Sequence, residues 1–166
     1  MKKRLVVYYS WSNGNTKKIA EELAKEAGAD LLRIEPEVPY SGSYEEVVDQ
    51  GKKETEAGYM PELKKLSVNP DEYEVIAAGT PTWWYTMAPA MHTFLHEQNW
   101  KGKTFIPFMT NAGWPGTVIR DMEKEAEGAE IRLPKEIRFD SEGGDHMVTS
   151  SEELEDWIRS VSESMK

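Results

Sequence analysis

The stretch RLVVYYSWSNGNTKKIAEELAKEAG, from Arg4 to Gly28, decides the fold. It begins with an apolar run over 5–9 that predicts a buried strand, and it changes abruptly to polar residues over 10–16. Apolar residues then recur at helical spacing, and Gly28 stands where a helix C-cap is expected. An α/β fold builds an anion site from this order of strand, polar turn and helix, because a helix N-terminus offers unpaired N–H groups and the positive end of its dipole. The stretch therefore predicts a turn that binds phosphate.

The alternation of short apolar segments with helical patterns continues along the whole chain. Such alternation is typical of a parallel sheet that helices cover on both faces, and it predicts an α/β, three-layer doubly wound sandwich. We expect a single domain over 1–166, because no linker, repeat or low-complexity tract interrupts the pattern. The predicted strands are 4–9, 30–35, 73–78, 104–109 and 130–139, and the predicted helices are 15–27, 44–57, 88–98, 117–127 and one that begins at Ser151.

The composition narrows the classes of function. A formal net charge of −10 disfavours nucleic acid as a partner, because that affinity comes largely from Lys and Arg on phosphates. The same charge would attract a basic partner protein. The absence of Cys excludes disulfides, thiolate metal sites and cysteine nucleophiles, and we expect a cytoplasmic protein. No apolar run approaches the roughly 20 residues that a membrane helix requires, so we expect no membrane association.

Three turns are expected to meet at one edge of the sheet, because ligands of such sheets lie at the carboxyl ends of the strands. The first turn is rich in hydroxyls and amides, and the other two carry three of the six tryptophans. Large aromatic side chains in turns are unusual unless they pack on a flat partner. Each turn alone has an ordinary structural explanation, so it is their convergence that favours a site. The turns are SWSNGNT over 10–16, GTPTWWYTM over 79–87 and TNAGWPG over 110–116.

Together these turns would hold a flat heterocycle with a phosphate tail, which describes flavin mononucleotide (FMN). The polar groups of the first turn would bind the monophosphate, and the small residues of the third would let backbone amides approach the polar edge of the ring. Trp83 or Trp84 would stack on one face of the ring and Trp114 on the other. The predicted cofactor-binding residues are Ser10, Trp11, Ser12, Asn13, Gly14, Asn15, Thr16, Thr80, Pro81, Thr82, Trp83, Trp84, Tyr85, Thr110, Asn111, Ala112, Gly113 and Trp114.

Several long motifs, in the right order, resemble the flavodoxin family and, within it, the bacterial short flavodoxin-like subgroup. The segments SWSNGNTKKIA (10–20) and GTPTWWYTMAP (79–89) are similar to the family's phosphate loop and flavin-side loop. The segments 44–54 and 103–116 resemble its second helix and its fourth strand with the following loop. The resemblance implies a five-stranded parallel sheet of order 2-1-3-4-5 and FMN as the cofactor. It also implies electron transfer to partner proteins, with the flavin cycling between oxidised, semiquinone and hydroquinone forms.

The sequence departs from the family pattern at three places. Asn13 is an extra residue in the phosphate loop, so either Ser10 and Ser12 or Trp11 and Asn13 take its early positions. Trp114 stands where many relatives carry Gly or Ser. The region of Pro134 and Gly143-Gly144 is unlike the usual compact fifth strand, which puts the surface for partner proteins there in question.

Two other functions compete with that of an electron carrier. One is an FMN-dependent NAD(P)H:quinone-type oxidoreductase, and the other is a module of the same fold that binds no flavin. For the carrier we predict no catalytic side chain, because the cofactor supplies the chemistry. We also predict that the protein is a monomer or a weak dimer. The i, i+4 pair His92 and His96 is interpreted as the polar face of a helix rather than as a metal site, because no third ligand lies in a recognisable pattern beside it.

Overall fold

The computed structural model describes residues 3–11, 14–142 and 144–165. Helices and strands alternate along it, as the sequence pattern predicts. The strands are β1 (Arg4–Tyr8), β2 (Asp30–Arg33), β3 (Val75–Trp83), β4 (Thr86–Met87), β5 (Thr104–Asn111), β6 (Glu130–Ile131) and β7 (Lys135–Arg138). The helices are α1 (Asn15–Ala27), α2 (Tyr44–Ala57), α3 (Pro89–Glu97), α4 (Val118–Glu125) and α5 (Ser151–Ser164).

The sheet has the predicted parallel order, with differences of detail at one edge. Its strands run β2-β1-β3-β5, and both β6 and β7 pair in parallel with β5, so the predicted fifth strand is present as two short pieces. Leu133, with a φ of 48°, and Pro134 lie between these pieces. A left-handed residue followed by a proline, which has no N–H to donate, interrupts a ladder of hydrogen bonds. The α/β doubly wound fold is therefore confirmed, and the described residues form seven strands where five were predicted.

The third strand extends well beyond its predicted end. The sequence pattern predicts a strand over 73–78 and a loop over 79–87, but β3 continues to Trp83 and turns back as the short antiparallel strand β4. Pro81 does not end β3. The last residue of β3 that pairs with β1 is Gly79, and beyond it β3 pairs in parallel with β5 alone among its neighbours. Proline is tolerated at such a one-sided position. The predicted flavin-side loop is thus a β-hairpin.

Alternate residues of the central strands form two cores, one on each face of the sheet. Leu5 and Ile76 pack with α3 residues such as Phe94, whereas Val6 and Ala77 pack with residues of α1 and α5. This division gives the three predicted layers of helix, sheet and helix. In the described part of the chain, no helix is both long and apolar enough to cross a membrane.

Local sequence signals place α1 and α2 at the bounds predicted for them. Gly28 and Gly58 adopt the left-handed conformation at the two C-caps. At the start of α2, Ser43 and Glu46 form a reciprocal capping box. Yet α2 buries only Val47 and Gly51 among its described residues. This helix is therefore well specified locally but weakly packed on the sheet.

Candidate functional site

A cavity of about 310 Å³ opens at the carboxyl ends of β1, β3 and β5, and we call it the sheet-end cavity. The start of α1, the end of β5, the hairpin after β3, one face of α2 and the segment after β7 surround it. It is lined by Trp11, Asn15, Thr16, Tyr44, Val47, Val48, Gly51, Pro81, Thr82, Trp83, Trp84, Thr110, Asn111, Ala112, Phe139, Asp140 and Gly144. Its position is the one at which parallel α/β sheets bind ligands.

The start of α1 presents polar groups to the sheet-end cavity. Gly14 caps the helix in the left-handed conformation, with a φ of 74°, and contributes no side-chain cap. The backbone N–H groups of Asn15 and Thr16 consequently have no acceptor among the described residues. The Asn15 amide nitrogen donates to the Gly144 carbonyl at 3.0 Å, while Asn15 Oδ1 is buried without a described partner. This arrangement can bind an anion and can also accept one hydrogen bond from a hydroxyl.

Hydroxyl groups fix the sheet side of the cavity. The hydroxyls of Thr16 and Thr110 lie 2.8 Å apart, and both residues are buried. Thr82 donates its hydroxyl to the Thr110 carbonyl at 3.0 Å. Because buried polar groups that already have partners hold one geometry, the ends of β3, β5 and α1 form a preorganised surface.

The turn after β5 is held by Asn111. Its Oδ1 accepts a hydrogen bond from the Gly113 N–H at 2.7 Å, and Gly113 has a φ of 109°. An Asn side chain that bonds the backbone two residues further along stabilises such a tight turn. Ala112 therefore lines the cavity at a fixed place, whereas Gly113 and Trp114 lie beyond its lining.

The β3–β4 hairpin carries backbone strain beside the cavity. Trp84 and Tyr85, its two central residues, have φ values of 51° and 68°, a pattern typical of a type I′ turn but costly for aromatic residues. Thr117 holds the turn by donating its N–H to the Tyr85 carbonyl at 2.8 Å. An added Cβ on Gly116 would lie 2.2 Å from that carbonyl oxygen, so only glycine permits this close approach.

Aromatic rings also line the sheet-end cavity. The Trp83 ring meets the rings of Tyr40, Tyr9 and Trp11 edge-on at 4.9, 5.8 and 6.0 Å between centroids. Trp11 in turn stacks on Tyr44 at 5.7 Å and 21° between planes. Trp11, Tyr44 and Trp83 line the cavity and give it the apolar, flat surfaces on which a planar ring system packs, whereas Tyr9 and Tyr40 contact Trp83 outside the lining.

One face of α2 completes the site, and sequence analysis missed it. The α2 residues Tyr44, Val47, Val48 and Gly51 all line the cavity. Trp84 donates its indole N–H to the Val48 carbonyl at 2.9 Å. An added Cβ on Gly51 would lie 3.1 Å from the Trp83 ring, which shows how closely the helix backbone approaches that ring. The signal available in the sequence was Gly51 itself, a helix-weakening residue in an otherwise ordinary helix.

The segment after β7 is the second part that sequence analysis missed. The carboxylate of Asp140 accepts backbone N–H bonds from Glu142, Gly144 and His146 at 3.2, 2.8 and 3.0 Å. The bonds from Gly144 and His146 hold the pKa of this carboxyl below its ordinary value of 3.8. Asp140 therefore shapes the loop whose Gly144 carbonyl binds Asn15.

The structure brings together ten of the predicted site residues and leaves others apart. Ser10 and Gly14 line a second groove with Lys17 and Arg33, which shares Trp11 with the cavity, and the Ser10 hydroxyl accepts the Lys17 N–H at 3.3 Å. The predicted residues that line the cavity are Trp11, Asn15, Thr16, Pro81, Thr82, Trp83, Trp84, Thr110, Asn111 and Ala112. Those that do not line it are Ser10, Gly14, Thr80, Tyr85, Gly113 and Trp114, and Ser12 and Asn13 lie outside the described residues.

Thr80 and Trp114 were predicted to bind the cofactor but do not line the cavity, and their hydrogen bonds and exposure explain why. Thr80 is fully buried, and its hydroxyl accepts the Ala88 N–H and donates to the Pro81 carbonyl. Trp114 is 57% exposed, so the structure shows no stacking position for it inside the cavity.

The two histidines of α3 lie apart from the cavity and share one acid. Glu125 of α4 contacts His92 Nε2 at 3.0 Å and His96 Nδ1 at 3.2 Å. These contacts join α3 to α4. Within the described ranges, His, Asp and Glu form no group of three or more that could hold a metal ion.

A family model described as flavodoxin matches residues 3–161 of this chain. The chain belongs to the flavodoxin family. None of the curated proteins compared with this flavodoxin-family chain matches it.

Solved structures show the same fold. A Lactobacillus acidophilus flavoprotein in complex with FMN is 25% identical, with a TM-score of 0.70 over 82% of this chain and 93% of its own. A Bacteroides eggerthii protein described as a putative flavoprotein is 25% identical, with a TM-score of 0.75 over 99% and 98% of the two chains. A Bacteroides uniformis protein described in the same way is 23% identical, with a TM-score of 0.77 over 95% and 98%.

Proposed function

We propose that this flavodoxin-family protein binds FMN in the sheet-end cavity and carries electrons between partner proteins. The observation that carries the proposal is the composition of that one cavity. Asn15 and Thr16, whose backbone N–H groups have no acceptor among the described residues, line it together with the aromatic rings of Trp11, Tyr44 and Trp83. A phosphate and a flat ring would each have a matching surface.

The residues present fit the chemistry of FMN. Asn15 Oδ1 is a buried acceptor without a described partner, and a hydroxyl of a ribityl chain would supply its missing donor. The N–H groups of Asn15 and Thr16 would bind the phosphate. The relative from Lactobacillus acidophilus, which holds FMN, supports the same assignment.

The charge of the protein supports a role as a reductant. When bound, FMN supplies the redox chemistry, so the protein has only to bind it and set its potential. A net charge of −10 and the aromatic side of the cavity both raise the free energy of a negatively charged reduced ring. The same charge favours a basic redox partner, and we propose a cytoplasmic location.

An anaerobic reductive titration of the FMN-loaded protein tests this function. For a carrier we expect two separate one-electron steps, with the intermediate oxidation level accumulating between them. Direct passage to the two-electron-reduced level would contradict one-electron transfer. Protein that does not bind added FMN would contradict the assignment of the cofactor.

The sheet-end cavity also favours a second candidate, an NAD(P)H:quinone-type oxidoreductase. Trp84 lines the cavity and is 40% exposed, and its neighbour Tyr85 is 58% exposed. These rings offer a planar acceptor a surface beside the cofactor position. Steady oxidation of NADPH by a quinone in the presence of the purified protein alone would establish this activity. Turnover only after a separate reductase is added would support the carrier.

Trp83 is the residue whose loss tests the site most directly. We expect Trp83→Ala to weaken FMN binding and shift its reduction potentials, because the ring lines the cavity and contacts three other aromatic residues. Isothermal titration with FMN measures the affinity. His92→Ala is the control, since His92 contacts Glu125 and does not line the cavity. An unchanged affinity in Trp83→Ala would contradict its role in stacking.

A further inference from the structure

We propose that Tyr40 and Glu54 form a redox-active pair that donates an electron, by way of Trp83, to a light-excited flavin in the sheet-end cavity. The inference rests on the proposed binding of FMN and assigns a further activity to residues outside the cavity lining. Its chemical basis is that tryptophan and tyrosine are the side chains most readily oxidised by one electron, and that a phenol loses its proton when it is oxidised.

The aromatic contacts supply a path for the electron. Trp83 lines the cavity, and the Tyr40 ring packs against it edge-on at 4.9 Å between centroids, with 64° between the planes. Of the three aromatic residues around Trp83 this is the shortest centroid separation. Tyr40 is half-buried and does not itself line the cavity. An electron that leaves Tyr40 for the cavity would therefore pass through Trp83.

The carboxylate of Glu54 supplies the proton acceptor. The Tyr40 hydroxyl donates to Glu54 Oε1 at 2.7 Å, and Gln50 holds the other oxygen by donating its amide to Oε2 at 2.7 Å. Burial and the hydrogen bond to Glu54 raise the pKa of Tyr40, so the phenol keeps its proton in the resting state. Glu54 also lines a second cavity of about 180 Å³ with Tyr59 and Lys124. Because the Tyr40 hydroxyl already donates to Glu54, the proton acceptor is in place before any oxidation occurs.

The charge and proton balance of the step is complete. Trp83 would give one electron to the excited flavin, and Tyr40 would give one electron to the oxidised indole of Trp83. The phenolic proton of Tyr40 moves at the same time to Glu54 Oε1. The products are a flavin reduced by one electron, a neutral tyrosyl radical and a neutral carboxylic acid, while Trp83 is restored. Return of the electron and proton regenerates all groups, so the cycle dissipates light energy without consuming a reductant.

Tyr9 is a matched comparison within the same cluster. Its ring also meets Trp83 edge-on, at 5.8 Å, and it is only 4% exposed. Among the hydrogen bonds of the described residues, however, its hydroxyl makes none to a carboxylate. Oxidation of Tyr9 would leave its proton without such an acceptor, which disfavours it as the donor.

Laser flash photolysis of the FMN-loaded protein, followed by transient absorption, tests the relay. In the parent protein we expect a tryptophan radical that is replaced by a neutral tyrosyl radical. Tyr40→Phe should lose the tyrosyl signal and prolong the tryptophan radical, whereas Tyr9→Phe should retain both phases. Glu54→Gln should slow the appearance of the tyrosyl radical, because the proton acceptor is gone. A tyrosyl signal that survives in Tyr40→Phe, or its absence from the parent protein, would overturn the proposal.

A second arm separates this relay from the proposed function. Titration with FMN first shows whether the cofactor binds. The cofactor-free protein is then oxidised by an azide radical generated in solution, which attacks tryptophan. The radical should then move to Tyr40 in the parent protein and in Tyr9→Phe but not in Tyr40→Phe. This result would support the pair of Tyr40 and Glu54 even if FMN does not bind. Equal radical transfer in both variants would refute the pair even if FMN binds tightly.

Discussion

Two sides of the sheet-end cavity are built in different ways. The sheet side consists of strand ends whose hydroxyls are buried and paired, as in the contact of Thr16 with Thr110. The α2 side consists of a helix that buries only Val47 and Gly51 among its described residues and is attached through the hairpin tryptophans. The comparison teaches that one side is fixed by folding of the sheet, whereas the other can adjust to an occupant.

Among these substitutions, Gly79→Ala on the sheet side should cause the largest loss in the free energy of unfolding. A Cβ at Gly79 would lie 2.2 Å from the ring of Phe108, which is fully buried, so something in the core must shift. Overpacking of this kind costs about 1–3 kcal/mol and occasionally more, and we expect the upper part of that range. Urea denaturation measures the free energy of unfolding. A value equal to that of the parent protein would show that the sheet side is less rigid than the contacts indicate.

A smaller effect is expected from Trp84→Phe, which weakens the attachment of α2. The change removes the indole N–H that bonds the Val48 carbonyl at 2.9 Å, and such a bond contributes about 0.5–1.5 kcal/mol. Hydrogen exchange should become faster along α2 while the amides of β3 and β5 keep their protection. Trp114→Phe is the control, since Trp114 is 57% exposed and does not line the cavity. Equal exchange in the two variants would contradict the attachment of α2 by Trp84.

Gly51→Ala should change the stability little but alter the site. Alanine in place of glycine favours a helix by about 1 kcal/mol, while the new Cβ, 3.1 Å from the Trp83 ring, requires a small shift of α2. We expect the gain in helix stability and the cost of shifting α2 to offset each other within about 0.5 kcal/mol. We expect the affinity for FMN to fall. Paired denaturation and FMN titration measure both quantities. A loss of stability as large as that of Gly79→Ala would show that the two sides are equally rigid.

The smallest effect concerns the loop held by Asp140 and depends on pH. The pKa of Asp140 is lower in the folded protein than its ordinary value of 3.8. The stability that its hydrogen bonds give to the loop is therefore fully present above pH 3.8 and is lost as the pH falls through the lower folded pKa. Amide chemical shifts of Gly144 and His146 should therefore titrate with a midpoint below 3.8. Asp140→Asn should abolish that titration, and Asp145→Asn should leave it in place. A midpoint at or above 3.8 would contradict the hydrogen bonds to this carboxylate.

The success of the sequence-based prediction differed between segments for a physical reason. The bounds of α1 and α2 follow from local signals, since Gly28, Ser43 and Gly58 act within a few residues of themselves. The end of β3 could not be predicted in this way. The segment after Gly79 has the composition of a turn, and it is extended because β5 pairs with it up to Pro81. That pairing partner is more than twenty residues away in the chain.

The sequence alone determined that strands and helices alternate, that the first turn precedes a helix start and that aromatic residues follow Gly79. These features depend on periodicity and capping, which act over one or two turns of the chain. Only the tertiary structure decided that α2 and the loop of Asp140 close the cavity, that Trp114 does not line it and that Tyr40 lies against Trp83. Such contacts join distant segments, and they follow from which surfaces of the sheet, helices and loops can pack together once the strands have paired.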